Sequence, residues 1–215
     1  ADTENDLPAH KRWVLLSNWK DRTLMRNEVA FGLADVFQQT FPNDGLAWNP
    51  SGQFVELVYN GVHVGNYYLC EHIKIDGNRL DITDPFDEKD GYSGTPEDYG
   101  YLLEADDGYD ETWKFTTANY IPFLFKDDGN DEMLSYVAGL VRGVEDKLYA
   151  GNYSAAYEQL DITSLVDYWL IQEVMMNSEM KHPKSVYMYL NKGKLYAGPI
   201  WDFDWNTLPV STSYS

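Results

Sequence analysis

Apolar residues recur along this chain at helical spacing in some stretches and at strand spacing in others. In "TLMRNEVAFGLADVF", Met25, Val29, Leu33 and Phe37 stand four apart. That spacing predicts one face of an amphipathic helix, with Asp21 or Thr23 as its cap. In "QFVELVYNGVHVGNYYLCEHI", two β-type runs flank Asn60-Gly61, the strongest short-range hairpin signal. The next stretch, "KIDGNRLDITDPFDEKDGYSGTPEDYG", is acidic and rich in Gly and Pro, and most of it reads as a surface connection. "YGYLLEAD" (Tyr99 to Asp106) is short and apolar and predicts a third strand. Leu134, Val137, Val141, Val144 and Leu148 fall on one face of a second helix. Leu165, Val166, Trp169, Leu170 and Val174 do so on a third, with Asp161 as N-cap. "SVYMYLNKGKLYAGPIWDFDW" closes the pattern as two strands around Asn191-Lys192-Gly193.

The order helix, hairpin, strand, helices, hairpin segregates strands from helices. It predicts an α+β fold rather than a doubly wound sheet. A chain of 215 residues suits one domain or one two-lobed unit. An aromatic fraction of 15% excludes a disordered chain. The formal net charge of −19 argues against nucleic acid and against an anionic membrane surface as partners. No apolar run approaches a membrane span. Cys70 is the single cysteine, so no internal disulfide forms.

The sequence holds no phosphate-binding glycine loop, no dinucleotide fingerprint, no zinc-protease motif and no nucleophile elbow. Its four histidines carry no motif. The end of the chain is different. A helix finishes near Asn177, "NSEMKHPKS" follows, and a hairpin then leads into Asp202-Phe203-Asp204. A protein kinase shows the same order: catalytic loop, short hairpin, then a metal-holding aspartate. Phosphoryl transfer needs hard cations on the triphosphate, and such cations take carboxylate oxygen. If strand geometry persists, Asp202 and Asp204 face together and Phe203 faces the core. A bare pair of aspartates at a strand end also fits two turn caps. Paired carboxylates leave a glycoside hydrolase open as well.

"RWVLLSNWKDRTLMRNEVAF", "FVELVYNGVHVGNYYLCEHIKI", "GYLLE" and "HPKSVYMYLNKGKLYAGPIWDFDWNT", in that order, resemble the CotH family of spore-coat-protein-H-like kinases. The likeness runs from about Lys11 to Thr207 and is nearest to the exported Bacteroides-type variants. It implies an atypical protein-kinase-like, two-lobed fold over residues 1–215, with an N-lobe-like part at about 11–125 and a C-lobe-like part at about 126–215. It further implies ATP with Mg²⁺ or Mn²⁺, and phosphate transfer to Ser or Thr of exported or surface proteins. Family members carry a basic, glycine-containing segment before "KRWVLL". Its absence here implies an incomplete N-lobe and weak or no activity in this form.

The resemblance also assigns residues. Asp202 takes the place of the metal-binding aspartate, and Asp204 is the second acid of that motif. Glu179, in Asn177-Ser178-Glu179, falls where the family has a catalytic Asp and is the candidate base. Ser185 falls near the kinase metal-holding Asn, and Lys184 is placed to touch phosphate. In the N-terminal half, Arg26 of the Arg26-Asn27 pair, Glu71 and Lys74 of "CEHIKI", and Glu104 of "GYLLE" are the candidate nucleotide-side residues. The competing reading is a non-catalytic cell-surface module that binds glycan or protein through exposed aromatics. The seven Trp permit it, although Trp169 and Trp201 lie in segments patterned for a core.

Overall fold

In the computed structural model, residues 7–42, 44–86, 94–107, 111–181 and 183–208 are described. They form an α+β fold with two antiparallel sheets. Strand β1 (Trp13–Leu16), helix α1 (Arg26–Thr40) and strands β2 (Gly52–Tyr59) and β3 (Val62–Glu71) come first. They are followed by β4 (Gly100–Ala105), β5 (Lys114–Thr116) and β6 (Pro122–Phe125). Helices α2 (Asp131–Tyr149), α3 (Tyr153–Tyr157) and α4 (Ile162–Val174) lead to β7 (Val186–Asn191) and β8 (Lys194–Ala197).

The first sheet has the order β1-β3-β2 and the second β5-β6-β4-β7-β8. The second sheet takes β4 to β6 from before residue 126 and β7 and β8 from after it, so it spans the expected lobe boundary. Both predicted hairpins are present. Asn60 and Gly61 adopt φ 50° and 79°, and Lys192 and Gly193 adopt 48° and 74°. Two consecutive residues with positive φ make the turn whose twist matches paired strands.

Helix α2 packs Met133, Val137, Val141 and Val144 against Leu103, Phe115, Phe123 and Leu190 of the five-stranded sheet. A second core joins α1, α4 and both sheets through Phe31, Tyr68, Ile171, Ile200 and Phe203. Asp161 caps α4 as predicted, accepting the Ser164 amide at 2.9 Å. Among the described residues no helix is long and apolar enough to cross a membrane.

Two predicted helix faces are corrected. In α1 the buried residues are Asn27, Ala30, Phe31 and Ala34, while Met25 and Val29 are exposed. Residues four apart drift about 40° per step, so the run starts on the solvent side at Met25 and Val29 and turns toward the core, where Leu33 and Phe37 pack half-buried. In α4 the inward residues are Ser164, Asp167, Tyr168, Ile171 and Gln172, and Val166, Trp169 and Val174 face out. The inner polar groups bind neighbouring backbone: Ser164 accepts the Ala197 amide at 3.1 Å, and Asp167 accepts that of Leu46 at 3.4 Å. Trp169 is therefore a surface residue. Trp201 is half-buried and stacks on Phe31 at 6.0 Å. The expected surface connection is also partly core, because its Ile75 and Leu80 pack with Ile73, Leu102, Tyr187 and Tyr189. Residues 87–93 of that stretch lie outside the described residues.

Candidate active site

Strand β8 ends at Ala197, so Asp202-Phe203-Asp204 does not continue it. Asp202 sits at φ 65°, a left-handed conformation that Asp tolerates better than most residues. The turn still brings the two acids together. Asp202 and Asp204 share a side-chain hydrogen bond, and Phe203 is fully buried. The expected arrangement holds, through a left-handed turn rather than strand alternation. Carboxyl groups in hydrogen-bond contact are closer than the roughly 5 Å or more that glycoside hydrolysis requires.

Asn27 fixes this turn from the first turn of α1. Its Oδ1 accepts the Phe203 amide at 2.8 Å. Its Nδ2 donates to Asp204 Oδ1 at 3.2 Å and to Asn18 Oδ1 at 2.8 Å. Asn18 in turn donates to the Leu24 carbonyl at 3.0 Å. The start of α1 is held by Asp21, which accepts the Arg26 amide at 2.8 Å and the Thr23 hydroxyl at 2.6 Å.

Ser185 closes the other side. Its hydroxyl donates to Asp202 Oδ2 at 3.2 Å, and its amide to Asp106 Oδ2 at 3.3 Å. Asp106 follows β4 and is buried. Glu104, two residues earlier, is 2% exposed and pairs with Lys126 Nζ at 2.6 Å. Lys126 stands just past β6, one diagonal step from Glu104 across the β4–β6 ladder. Glu179 lies on a short 3₁₀ turn, its amide held by Asn177 Oδ1 at 3.1 Å.

Acid outnumbers base here. Burial pushes Asp202 up to about 6, helped by Asp204 beside it. Burial pushes Glu179 up to about 7, helped by the charges of Asp202 and Asp204 and opposed by Lys184. Burial also raises Glu104, although Lys126 works against it. Crowded, partly buried carboxylates favour their neutral forms until a cation arrives.

Among the described residues no group of three or more acidic, His or Cys side chains forms a ready metal cage. Mg²⁺ does not ask for one, since it is held by one or two carboxylates together with phosphate oxygens and water. The Asp202–Asp204 pair, with the Ser185 hydroxyl beside it, is a donor set of that kind.

Of the residues singled out by sequence, Glu179, Asp202, Asp204 and Ser185 gather here, and Glu104 and Lys184 act on them through their charges. Lys184 itself pairs with exposed Asp107 at 3.4 Å. Arg26, Glu71 and Lys74 make other contacts. Arg26 reaches Asp21 and the Leu208 carbonyl. Glu71 accepts the amide and hydroxyl of Ser51, both at 3.0 Å. Lys74 acts on Asp127. Three contributors were not chosen from the sequence: Asn27, Asp106 and Lys126. Alternation along "GYLLEAD" puts Asp106 on the face of Glu104, so that signal was available. Lys126 follows a strand too short to announce itself.

Compared with curated proteins, the chain has no match. The family model described as CotH kinase protein matches residues 1–210, nearly the whole length. The chain belongs to that family.

Proposed function

We propose that this site transfers the terminal phosphoryl group of ATP, with Mg²⁺ or Mn²⁺, to a Ser or Thr hydroxyl of an exported or surface protein. The observation that supports this reading best is the contact pair Asp202–Asp204 at the exit of the β7–β8 hairpin, with Glu179 close enough to feel both charges. A divalent cation held by Asp202 and Asp204 would neutralise phosphate charge.

The chain's own residues do the rest. Glu179 titrates near neutral pH, which suits a base that accepts the proton of the acceptor hydroxyl. Ser185 orients Asp202, and Asn27 fixes Asp204 and the Phe203 backbone. Lys126 is held in place by Glu104 with part of its side chain in solvent. A kinase Lys–Glu pair presents an ammonium to phosphate, and this pair would do the same from β4 and the end of β6, two adjacent strands, rather than from a strand and a helix. Lys184, on the exposed side, is a second cation for the same anion.

Calorimetry with ATP in the presence of Mg²⁺ tests the reading. Saturable binding by the wild-type protein, lost in Asp202→Ala, is the expected result, followed by phosphate incorporation into Ser/Thr peptides that Glu179→Gln abolishes. A wild-type protein that binds no nucleotide with either metal overturns it.

A further inference from the structure

A second concave site lies between the end of α1, the start of α4 and the β7–β8 hairpin. It is a cavity of about 510 Å³ whose walls include Phe41, Asp44, Leu46, Asp161, Tyr189 and Tyr196. That volume falls within the roughly 300–1,000 Å³ of ligand sites. Tyr189 is four residues along the chain from Ser185, about 13 Å at strand rise. Its neighbour Tyr187 bonds Glu104 on the same sheet face. The cavity is thus near the candidate phosphotransfer cluster but separate from it.

The lining has a definite chemistry. Tyr189 and Tyr196 stack face to face, with centroids 4.8 Å apart and planes within 3°. The Lys194 ammonium lies 5.8 Å from the Tyr196 centroid and 3.2 Å from Asp161 Oδ2. The protein already holds one cation here, by a carboxylate and an aromatic face together. That cation answers Asp161 but not the other acids. Asp44 is exposed. Asp167 lies directly behind the loop, where a Cβ on Gly45 would come within 1.8 Å of Asp167 Oδ2. Asp167 accepts the Leu46 amide, and the charges of Asp44 and Asp161 both reach it, so three acids share this wall with the one Lys194 ammonium.

We propose that this cavity takes an arginine side chain of a peptide. A sugar would need an open aromatic face, and here Tyr189 is buried and stacked on Tyr196, which also has Lys194 over its ring. A guanidinium fits what remains, because it is planar, spreads its charge, and binds carboxylate and aromatic edge at once. The exposed Phe41 at the rim gives apolar contact to the arginine stem and the flanking residues. The inference does not depend on phosphoryl transfer, since it concerns binding alone.

The test is calorimetric titration with an acetylated, amidated peptide carrying one arginine among alanines, alongside the same peptide with citrulline. The arginine peptide should bind saturably and the citrulline peptide at least tenfold more weakly. Asp44→Asn, at an exposed position, should weaken the arginine peptide by up to about fivefold, the upper end for an exposed ion pair. Phe41→Ser should also weaken it, and Asp202→Ala should leave it unchanged. Equal affinity for both peptides, indifference to Asp44→Asn and Phe41→Ser, or loss of binding in Asp202→Ala overturns the proposal. So does the absence of saturation by the arginine peptide at millimolar concentration.

Discussion

The side-chain carbonyl of Asn27 accepts the backbone amide of Phe203 at 2.8 Å, across 176 residues of chain. Both residues are fully buried. One helix-borne amide thus ties α1 to the turn that carries both candidate metal ligands. With Asn18 and Asp204 on its other end, Asn27 makes three hydrogen bonds in a place where water does not compete.

Asn27→Ala leaves the Phe203 amide and the Asn18 carbonyl oxygen without their partner. A buried polar group left unmet costs about 1–3 kcal/mol, so the variant should lose stability on that scale in urea unfolding. Asn27→Asp keeps the acceptor but loses the donor, and sets a third carboxylate beside Asp204. It should fold better than the alanine variant and yet bind Mg²⁺-ATP differently. Equal unfolding midpoints for wild type and Asn27→Ala would remove Asn27 from this role.

Stability should fall as pH rises across the range in which the site acids ionise. Glu179 moves from an ordinary 4.5 to about 7 on folding, and Asp202 from 3.8 to about 6. Between the unfolded and folded values the native chain binds more protons than the unfolded one, so the slope of unfolding free energy against pH is negative there. The contribution is present below about pH 4 and is lost by about pH 7. In metal-free buffer, Glu179→Gln should melt higher than wild type at pH 8, with the gap closing toward pH 4. A gap that stays constant with pH would contradict the assignment.

The legible part of the fold follows from turn chemistry. Asn60-Gly61 and Lys192-Gly193 fixed both hairpins, and the Asp161 cap fixed the start of α4. The faces of α1 and α4 were only partly legible, because Phe31, Tyr168 and Ile171 share the buried side with Ala30, Ala34, Ser164 and Asp167, small or polar residues that a hydrophobic pattern passes over. The site divided in the same way. Asp202, Asp204 and Glu179 lie close to one another in the C-terminal part and could be read by motif order. The wall opposite, Asp106 with the Glu104–Lys126 pair, depends on the β4–β6 and β4–β7 ladders. The resemblance points to the Arg26-Asn27 pair and singles out Arg26, but it is the neutral Asn27 that points inward, since a buried amide can satisfy amide and carboxylate together.

Mg²⁺ binding should depend on pH in the opposite sense to metal-free stability. A cation at Asp202 and Asp204 needs both carboxylates ionised, whereas burial and the charge of Asp204 push Asp202 toward its neutral form at low pH. The rise in melting temperature produced by 10 mM Mg²⁺ (roughly saturating for a weak carboxylate site) should be larger at pH 8 than at pH 5. It should vanish in Asp202→Ala. A shift that is equal at the two pH values would place the ion elsewhere.

The pairing of Lys126 with Glu104 makes a prediction that separates stability from nucleotide binding. Glu104 is 2% exposed and Lys126 is 2.6 Å away, so Lys126→Met leaves a buried acid with Tyr187 but without its countercharge. Breaking a buried pair from one side costs about 3 kcal/mol at the lower end of the usual range, while replacing both partners with apolar groups is often close to neutral. The double variant Lys126→Met/Glu104→Leu should therefore recover most of the stability lost by Lys126→Met alone. If Lys126 presents its ammonium to phosphate, the double variant should still fail to bind ATP, because folding is restored while the cation is not. Recovery of nucleotide affinity together with stability would show that Lys126 serves only to neutralise Glu104.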